Sequence, residues 1–293
     1  MNASLNHHLQ SNERNNLLIP HCRVILADAG SQIKTKQTYL IMPADLSTKS
    51  IIITGAATGI GRSTAIMAAE CGAQAVAIFD VDDTAAQDTA NVINTAIGDT
   101  VAKCWHVDVA DRASVEGSVA AAVEWMGSVD VLLHFAGILH GAYASIESFE
   151  EATWDRVIDI NLKGTFLIAK AVVTHMNDQP NGGVIITTAS GAGVTGGSSS
   201  YAYGASKGAV HGFTMVMQRH IDMTNIRVQD IAPGRVRTPL VLDNLRQQFE
   251  KTGDREHYET EVANLTDPDD VAKIATFMAS DEAKVMRGPV FTR

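Results

Sequence analysis

A doubly wound α/β fold, one parallel sheet with helices on both faces, is what this chain of 293 residues predicts. Three observations carry that expectation. Short apolar runs alternate with longer amphipathic stretches, the pattern of parallel strands joined by crossover helices. The first run ends in a glycine-spaced turn and passes straight into a helical stretch. Hydrophobic residues make up 45% of the chain and charged residues 19%, a balance suited to a soluble core within a single domain.

Each element follows in order. Residues 1–41 open polar and asparagine-rich, with too little apolar surface to fold alone, and are expected to be a disordered extension ahead of a domain over 42–293. The apolar run at 24–27 stops at Asp28, far short of the ~20 residues that cross a bilayer. No signal-peptide core with a cleavage site is present either, so a cytoplasmic location is expected. The first strand is Ile51-Ile52-Ile53-Thr54, and Gly55, Gly59 and Gly61 with Thr58 and Ile60 form the turn before a helix at 63–70. Glycine lets backbone approach a pyrophosphate and the helix start offers free N–H groups, so this is the frame of a dinucleotide site of Rossmann type. A tight turn between core elements is the bland alternative.

The second strand, 75–79, ends at Asp80, an acid placed to accept hydrogen bonds from ribose hydroxyls and to repel a 2′-phosphate. Asp82 and Asp83 add negative charge, Arg62 is the one nearby cation, and NAD is therefore expected over NADP, with NADP possible. A third strand, 101–107, reaches Asp108, and further apolar runs lie at 129–133 and 184–189. Stretches 155–176 and 202–223 read as long helices, 239–263 as a lid, and Asp267-Pro268 as a helix start with an apolar stripe at Val271, Ile274, Ala275 and Met278.

Tyr203 and Lys207 stand four apart in the second of those long helices, so they share a face. A free phenol titrates near ~10, and holding it ionised near neutrality means lowering that by about 3 units, roughly 4 kcal/mol. A lysine charge supplies part of this. Such a pair in isolation is often a half-buried ring beside a solvated amine. Its company is what distinguishes it here.

Taken together these residues resemble the short-chain dehydrogenase/reductases, over nearly everything from Ser47 to Pro289. The resemblance rests on residues 54–61, Asp80, Asp108-Val109, Ala136-Gly137, Asn161, Ser190, Tyr203 with Lys207, and Pro233-Gly234 through Thr238. It implies Tyr203 as general acid or base, Ser190 as hydrogen-bond partner of the reacting oxygen, and Lys207 on the nicotinamide ribose. It implies Asn161 as holder of a relay water, Asp108 and Val109 at the adenine, Val236 and Thr238 at the carboxamide, and Ala136, Gly137, Pro233 and Gly234 in the cofactor wall. In relatives the two long helices build a dimer interface, which makes a homodimer or homotetramer the expectation.

Two departures stand out. His134-Phe135 replaces the Asn-Asn usual before Ala-Gly in the family, and His134 is expected to be a satisfied core group rather than a metal ligand. The stretch after Pro289 is short, which puts tetramer assembly in question. No metal site is expected, and Cys22, Cys71 and Cys104 are expected to be buried small hydrophobes without a disulfide framework. A net charge of −10 and a pI near 5.4 argue against nucleic acid as a partner. Leu139, His140, Tyr143, Val194 and Tyr201, with apolar lid residues, point to a small apolar or cyclic secondary alcohol, of a steroid, terpenoid or polyketide-like kind. Three functions compete: an NAD-dependent alcohol dehydrogenase, an NADPH-dependent biosynthetic ketoreductase, and a catalytically silent nucleotide-binding scaffold.

Overall fold

The protein is described from a computed structural model covering residues 44–221 and 224–292; the expected extension at 1–41 and Cys22 lie outside those residues. Seven parallel strands are ordered β3-β2-β1-β4-β5-β6-β7. They are β1 (Ser50–Thr54), β2 (Ala75–Asp80), β3 (Ala102–His106), β4 (Val131–His134), β5 (Gly183–Thr188), β6 (Ile226–Ala232) and β7 (Val290–Phe291). The helices between them are α1 (Gly59–Glu70), α2 (Asp83–Ile97), α3 (Arg112–Met126), α4 (Glu151–Ile158), α5 (Gly164–Met176), α6 (Gly191–Val194), α7 (Tyr201–His220), α8 (Pro239–Thr252), α9 (Arg255–Ala263) and α10 (Pro268–Ala279). The expected doubly wound architecture is therefore present.

Side chains two apart on a strand face the same way, and that alternation splits the core. Ile51 and Ile53 with Val76, Ile78 and Leu133 pack under α1, α2 and α10, whereas Ile52 with Ala77, Phe79, Leu132 and Ile185 pack under α3 and α5. Val271, Ala275 and Met278 of α10 are fully buried, as their spacing predicts. Caps set the helix ends. Asp82, Asp111, Thr238 and Asp267 each accept a first-turn N–H, and Gly98, Gly127 and Gly253 close helices in the left-handed conformation.

Several boundaries differ from the sequence expectation. The stretch 155–176 is not one α-helix: a π-helical turn, Asp159–Lys163, joins α4 to α5. The lid is two helices, because Gly253 takes φ 68° and ends α8. Cys71 and Cys104 are half-buried rather than buried, the thiol of Cys104 donating to Gln87 Oε1 at 3.3 Å.

The chain winds outward from β1 to β3 and then returns to place β4 on the other side of β1. In such a sheet the crevice at the carboxyl ends of the strands where the order reverses is the natural ligand site.

Candidate active site

A cleft of about 420 Å³ opens at that switch point. Its wall includes Gly55, Thr58, Gly59, Ile60, Gly61, Asp80, Asp108, Val109, Ala136, Gly137, Ser190, Tyr203, Lys207, Pro233, Gly234, Val236 and Thr238. These residues come from the ends of six strands and the helices that follow, so the parallel topology brings together groups far apart in sequence. Of the residues expected at catalytic and cofactor positions, Asn161 does not line this cleft, and neither do the expected substrate-side residues Leu139, His140, Tyr143, Val194 and Tyr201. Tyr143 bonds α8, Tyr201 packs edge-on to Phe149, and the apolar lining includes Ile138, Leu240 and Val241 instead.

The glycine turn is shaped by contact. Gly59 has φ 56°, and a Cβ on Gly61 would lie 2.1 Å from the Gly55 carbonyl oxygen. The N-terminus of α1 has no side-chain cap and no acid in its first turn, which leaves its N–H groups and positive dipole end for an anion. Asp80 ties this turn to β2: Oδ2 accepts from Ala57 N–H at 2.9 Å, and Oδ1 from Val81 and Asp82 N–H at 2.8 and 3.1 Å. Arg62 is engaged elsewhere, donating to Thr89 Oγ1 at 3.0 Å. The residues of this cradle fit a dinucleotide: free donors at the start of α1 would suit a pyrophosphate, and the buttressed Asp80 carboxylate would suit a ribose.

Across the cleft, Ser190 follows β5 and its Oγ accepts the Ala192 N–H at 3.1 Å. The Ser190 hydroxyl also bonds the Tyr203 side chain, which works to lower the phenol pKa, but burial outweighs it and holds that pKa above its ordinary value. Lys207 is buried and pushed down to about 8 by desolvation. Its Nζ donates to the Thr188 carbonyl at 2.8 Å and lies 5.8 Å from the Tyr203 ring centroid. The expected contribution of the Lys207 charge to a lowered tyrosine pKa is not found in the protein by itself, where burial and the Ser190 hydroxyl set the phenol. The ammonium is drawn to a backbone acceptor, and the protein by itself keeps Tyr203 as an acid.

Asn161 sits in the π-turn behind the cleft wall. Its Oδ1 accepts Ile138 N–H at 2.8 Å, and its Nδ2 donates to Ile138 O at 2.9 Å and Ser206 Oγ at 3.0 Å. In the protein it fixes the strand-end backbone after Gly137 and braces α7 beside Tyr203. π-Turns recur at functional sites because the extra residue redirects a side chain.

His134 also departs from expectation. Nδ1 meets Thr54 Oγ1 at 2.6 Å, but Nε2 has no hydrogen-bond partner although the residue is 1% exposed. Burial, with the Lys207 charge, pushes its pKa down to about 3. It is a neutral, half-satisfied ring rather than a fully satisfied one. No metal-binding cluster is present among the described residues.

Sequence reasoning missed Arg156, Thr188 and Ile138, which also border the cleft. Arg156 reaches it from α4, and nothing in the neighbouring sequence marks that placement. The lid divides its work. Leu240 and Val241 wall the cleft, Leu245 is buried, and Phe249 packs on Tyr258 with ring centroids 5.5 Å apart.

The family model for short chain dehydrogenase matches residues 49–248. The chain belongs to the short-chain dehydrogenase/reductase family. Among its relatives is trans-4-hydroxycyclohexanecarboxylate dehydrogenase of Sinomonas cyclohexanicum, 36% identical over 244 residues that cover 82% of this chain and 89% of that protein. A 3-oxoacyl-[acyl-carrier-protein] reductase of Thermotoga maritima is 32% identical over 246 residues, 84% of this chain and 96% of that protein. The crystal structure of levodione reductase superposes with a TM-score of 0.77 at 30% identity, covering 83% of this chain and 95% of that one. As a short-chain dehydrogenase/reductase the protein is an oxidoreductase of CH–OH groups, in a family that typically uses NAD(P).

Proposed function

We propose that this family member interconverts a secondary alcohol and its ketone with NAD(H), on a small apolar or cyclic substrate. The observation that carries the reading is the meeting of Tyr203, Ser190 and Lys207 on the same cleft as the glycine cradle. Bound NAD(H) would supply the hydride acceptor or donor. The chain's own residues do the rest. Gly55, Gly59 and Gly61, with Thr58 and Ile60, hold the pyrophosphate; Asp80 takes the adenosine ribose, and Asp108 and Val109 border the adenine. Lys207 takes the nicotinamide ribose, Val236 and Thr238 the carboxamide, and Ala136, Gly137, Pro233 and Gly234 complete the wall. Ser190 orients the reacting oxygen and Tyr203 gives or takes its proton.

Protonated Tyr203 suits the ketone-reducing direction as the protein stands. Alcohol oxidation needs the phenolate, which a bound positive charge would favour. The NAD preference rests on the three backbone bonds that aim Asp80 and on the engagement of Arg62 with Thr89. A cyclic substrate is supported by the apolar wall of Ile138, Leu240 and Val241, and by relatives named for a hydroxycyclohexanecarboxylate and for levodione. No described helix is long and apolar enough to cross a membrane, and we read the protein as a cytoplasmic homo-oligomer.

The test is a screen of cyclic secondary alcohols and ketones with both cofactors, beside Tyr203→Phe. We expect NAD(H) to be preferred and the variant to lose about 10²–10⁴ in kcat/KM, the worth of a positioned acid or base. The wild-type rate of reduction should hold from neutral pH until the raised phenol pKa is approached. A preference for NADPH overturns the assignment of Asp80, and an unimpaired variant overturns that of Tyr203.

A further inference from the structure

Residues 138–145, between Gly137 and the 3-10 turn at Ile146–Ser148, hold an unusual backbone. Gly141 has φ 70° and Tyr143 φ 60°, and Tyr143 is the one non-glycine residue among those described in the left-handed region. A bulky L-residue is strained there and persists only where its surroundings over-determine it.

Those surroundings are specific. The Tyr143 N–H donates to the Ser199 carbonyl at 2.7 Å. Its phenol oxygen lies 3.0 Å from Asn244 Oδ1 and 3.0 Å from Gln248 Oε1. A phenol has one proton to give, so one amide accepts it while the other turns its NH2 group inward as donor. The Lys251 ammonium stands 5.8 Å from the ring centroid and donates to the Ala142 carbonyl at 3.4 Å. Asn244, Gln248 and Lys251 are spaced i, i+4 and i+7 on α8, so one polar stripe of the lid meets one loop. The third party is the segment leading to Tyr203: Asn244 Nδ2 donates to Ser199 Oγ at 3.4 Å, and Ser200 Oγ to the His140 carbonyl at 2.6 Å.

This matters because α8 is lightly anchored. Leu245 is its one buried residue, while Pro239, Leu240 and Val241 at its start wall the cleft. The contacts that hold its middle are polar and partly wet, Tyr143 being 38% exposed. Such bonds exchange with water at small net cost, which is the energetics of an element that opens.

We propose that Tyr143 is a latch on α8, whose first turn walls the cleft, and through α8 a positioning residue that sets specificity. With the phenol engaged, α8 is fixed over the site and the closed mouth admits small substrates. With it released, α8 swings free and bulkier ones enter. The selectivity half rests on the catalytic reading above; the opening half does not.

Tyr143→Phe keeps the ring, the φ angle and the Lys251 contact while removing the hydroxyl. Tyr143→Gly also removes the ring but relieves the strained φ, so its fold is not in jeopardy. Hydrogen exchange on the full chain without cofactor should show amides of α8 exchanging about tenfold faster in both variants, the worth of about one net hydrogen bond. Strands β1, β4 and β5 should stay at the wild-type rate and Tm should hold. Steady-state assays with cyclohexanone and with a fused two-ring ketone should show the two-ring to one-ring ratio of kcat/KM rising several-fold in both variants, chiefly through KM for the larger ketone. Wild-type exchange of α8 in both variants overturns the latch. Faster exchange with an unchanged ratio overturns its role in selectivity. If no ketone is turned over by the wild type, the catalytic reading fails with the selectivity half, and the exchange arm still decides the latch.

Discussion

At the scale of single residues, the site is a set of groups whose charge is suppressed by burial. Tyr203 is held protonated, Lys207 is pushed down to about 8, and His134 to about 3. For the first two this readies groups that a bound cofactor can shift; for His134 it is a liability in acid. Its folded pKa lies below the ordinary 6.5, so the unfolded chain binds the extra proton between those values. The stability associated with the neutral ring is therefore intact above pH 6.5 and is lost as pH falls toward 3, by up to about 1.4 kcal/mol per pH unit. His134→Asn removes that titration. Urea unfolding at pH 7 and pH 5 should show the wild type losing about 2 kcal/mol more than the variant over that interval. Equal losses would mean that the buried ring is not what acid attacks. The strand pairing that holds Thr54 against His134 also places Ala136, whose N–H donates to Thr54 Oγ1 at 3.2 Å, so this one position joins stability to the wall of the cleft.

At the scale of elements, the site depends on how closely α1 can approach β1. Gly61 lies within the first turn of α1, and a side chain there would collide with the Gly55 carbonyl, which is backbone and cannot swing aside. Gly61→Ala should therefore push the helix outward, cost about 1–3 kcal/mol as overpacking does, and weaken NAD(H) binding more than tenfold in a fluorescence titration, since the donors at the helix start move with it. Near wild-type Tm and affinity would show that the turn has slack. This element was legible in the sequence because an apolar strand run, a glycine turn and a helical stretch each have a compositional mark. The same holds for Asp80, Asp108 and Ser190, polar residues just past the ends of apolar runs. The π-turn around Asn161 was not legible: the apolar period continues through it, and a shifted hydrogen-bond ladder leaves no trace in residue type. Nor was Tyr143, whose left-handed φ is imposed by contacts to residues 101 and 105 positions away.

At the scale of the whole molecule, helices cover both faces of the sheet and each leaves apolar groups in water: Val92 and Ile97 of α2 and Phe277 of α10 on one, and more exposed groups of α5 and α7 on the other. Phe166 is 45% exposed, Met215 54% and Val216 57%, and Phe166 sits edge-on to Phe213 with centroids 6.2 Å apart. Exposed apolar groups of this size suit an association surface; Met215 and Val216 lie on the helix that carries Tyr203 and Lys207, and Phe166 of α5 reaches Phe213 of that helix. Burying this face would stiffen α7, which gives assembly a direct consequence for the site. We expect a dimer formed through it. In sedimentation velocity the wild type should run at twice the 31.3 kDa chain mass or a multiple of that. Phe166→Glu combined with Val216→Glu, both at exposed positions that the monomer core does not need, should run at the single-chain mass with its circular dichroism unchanged. Because α7 would then lack its partner, kcat should fall by more than the affinity for NAD(H), most of whose proposed contacts lie outside α7. A wild type that sediments as a single chain, or a double variant that still assembles, would assign the apolar face to something other than a second copy.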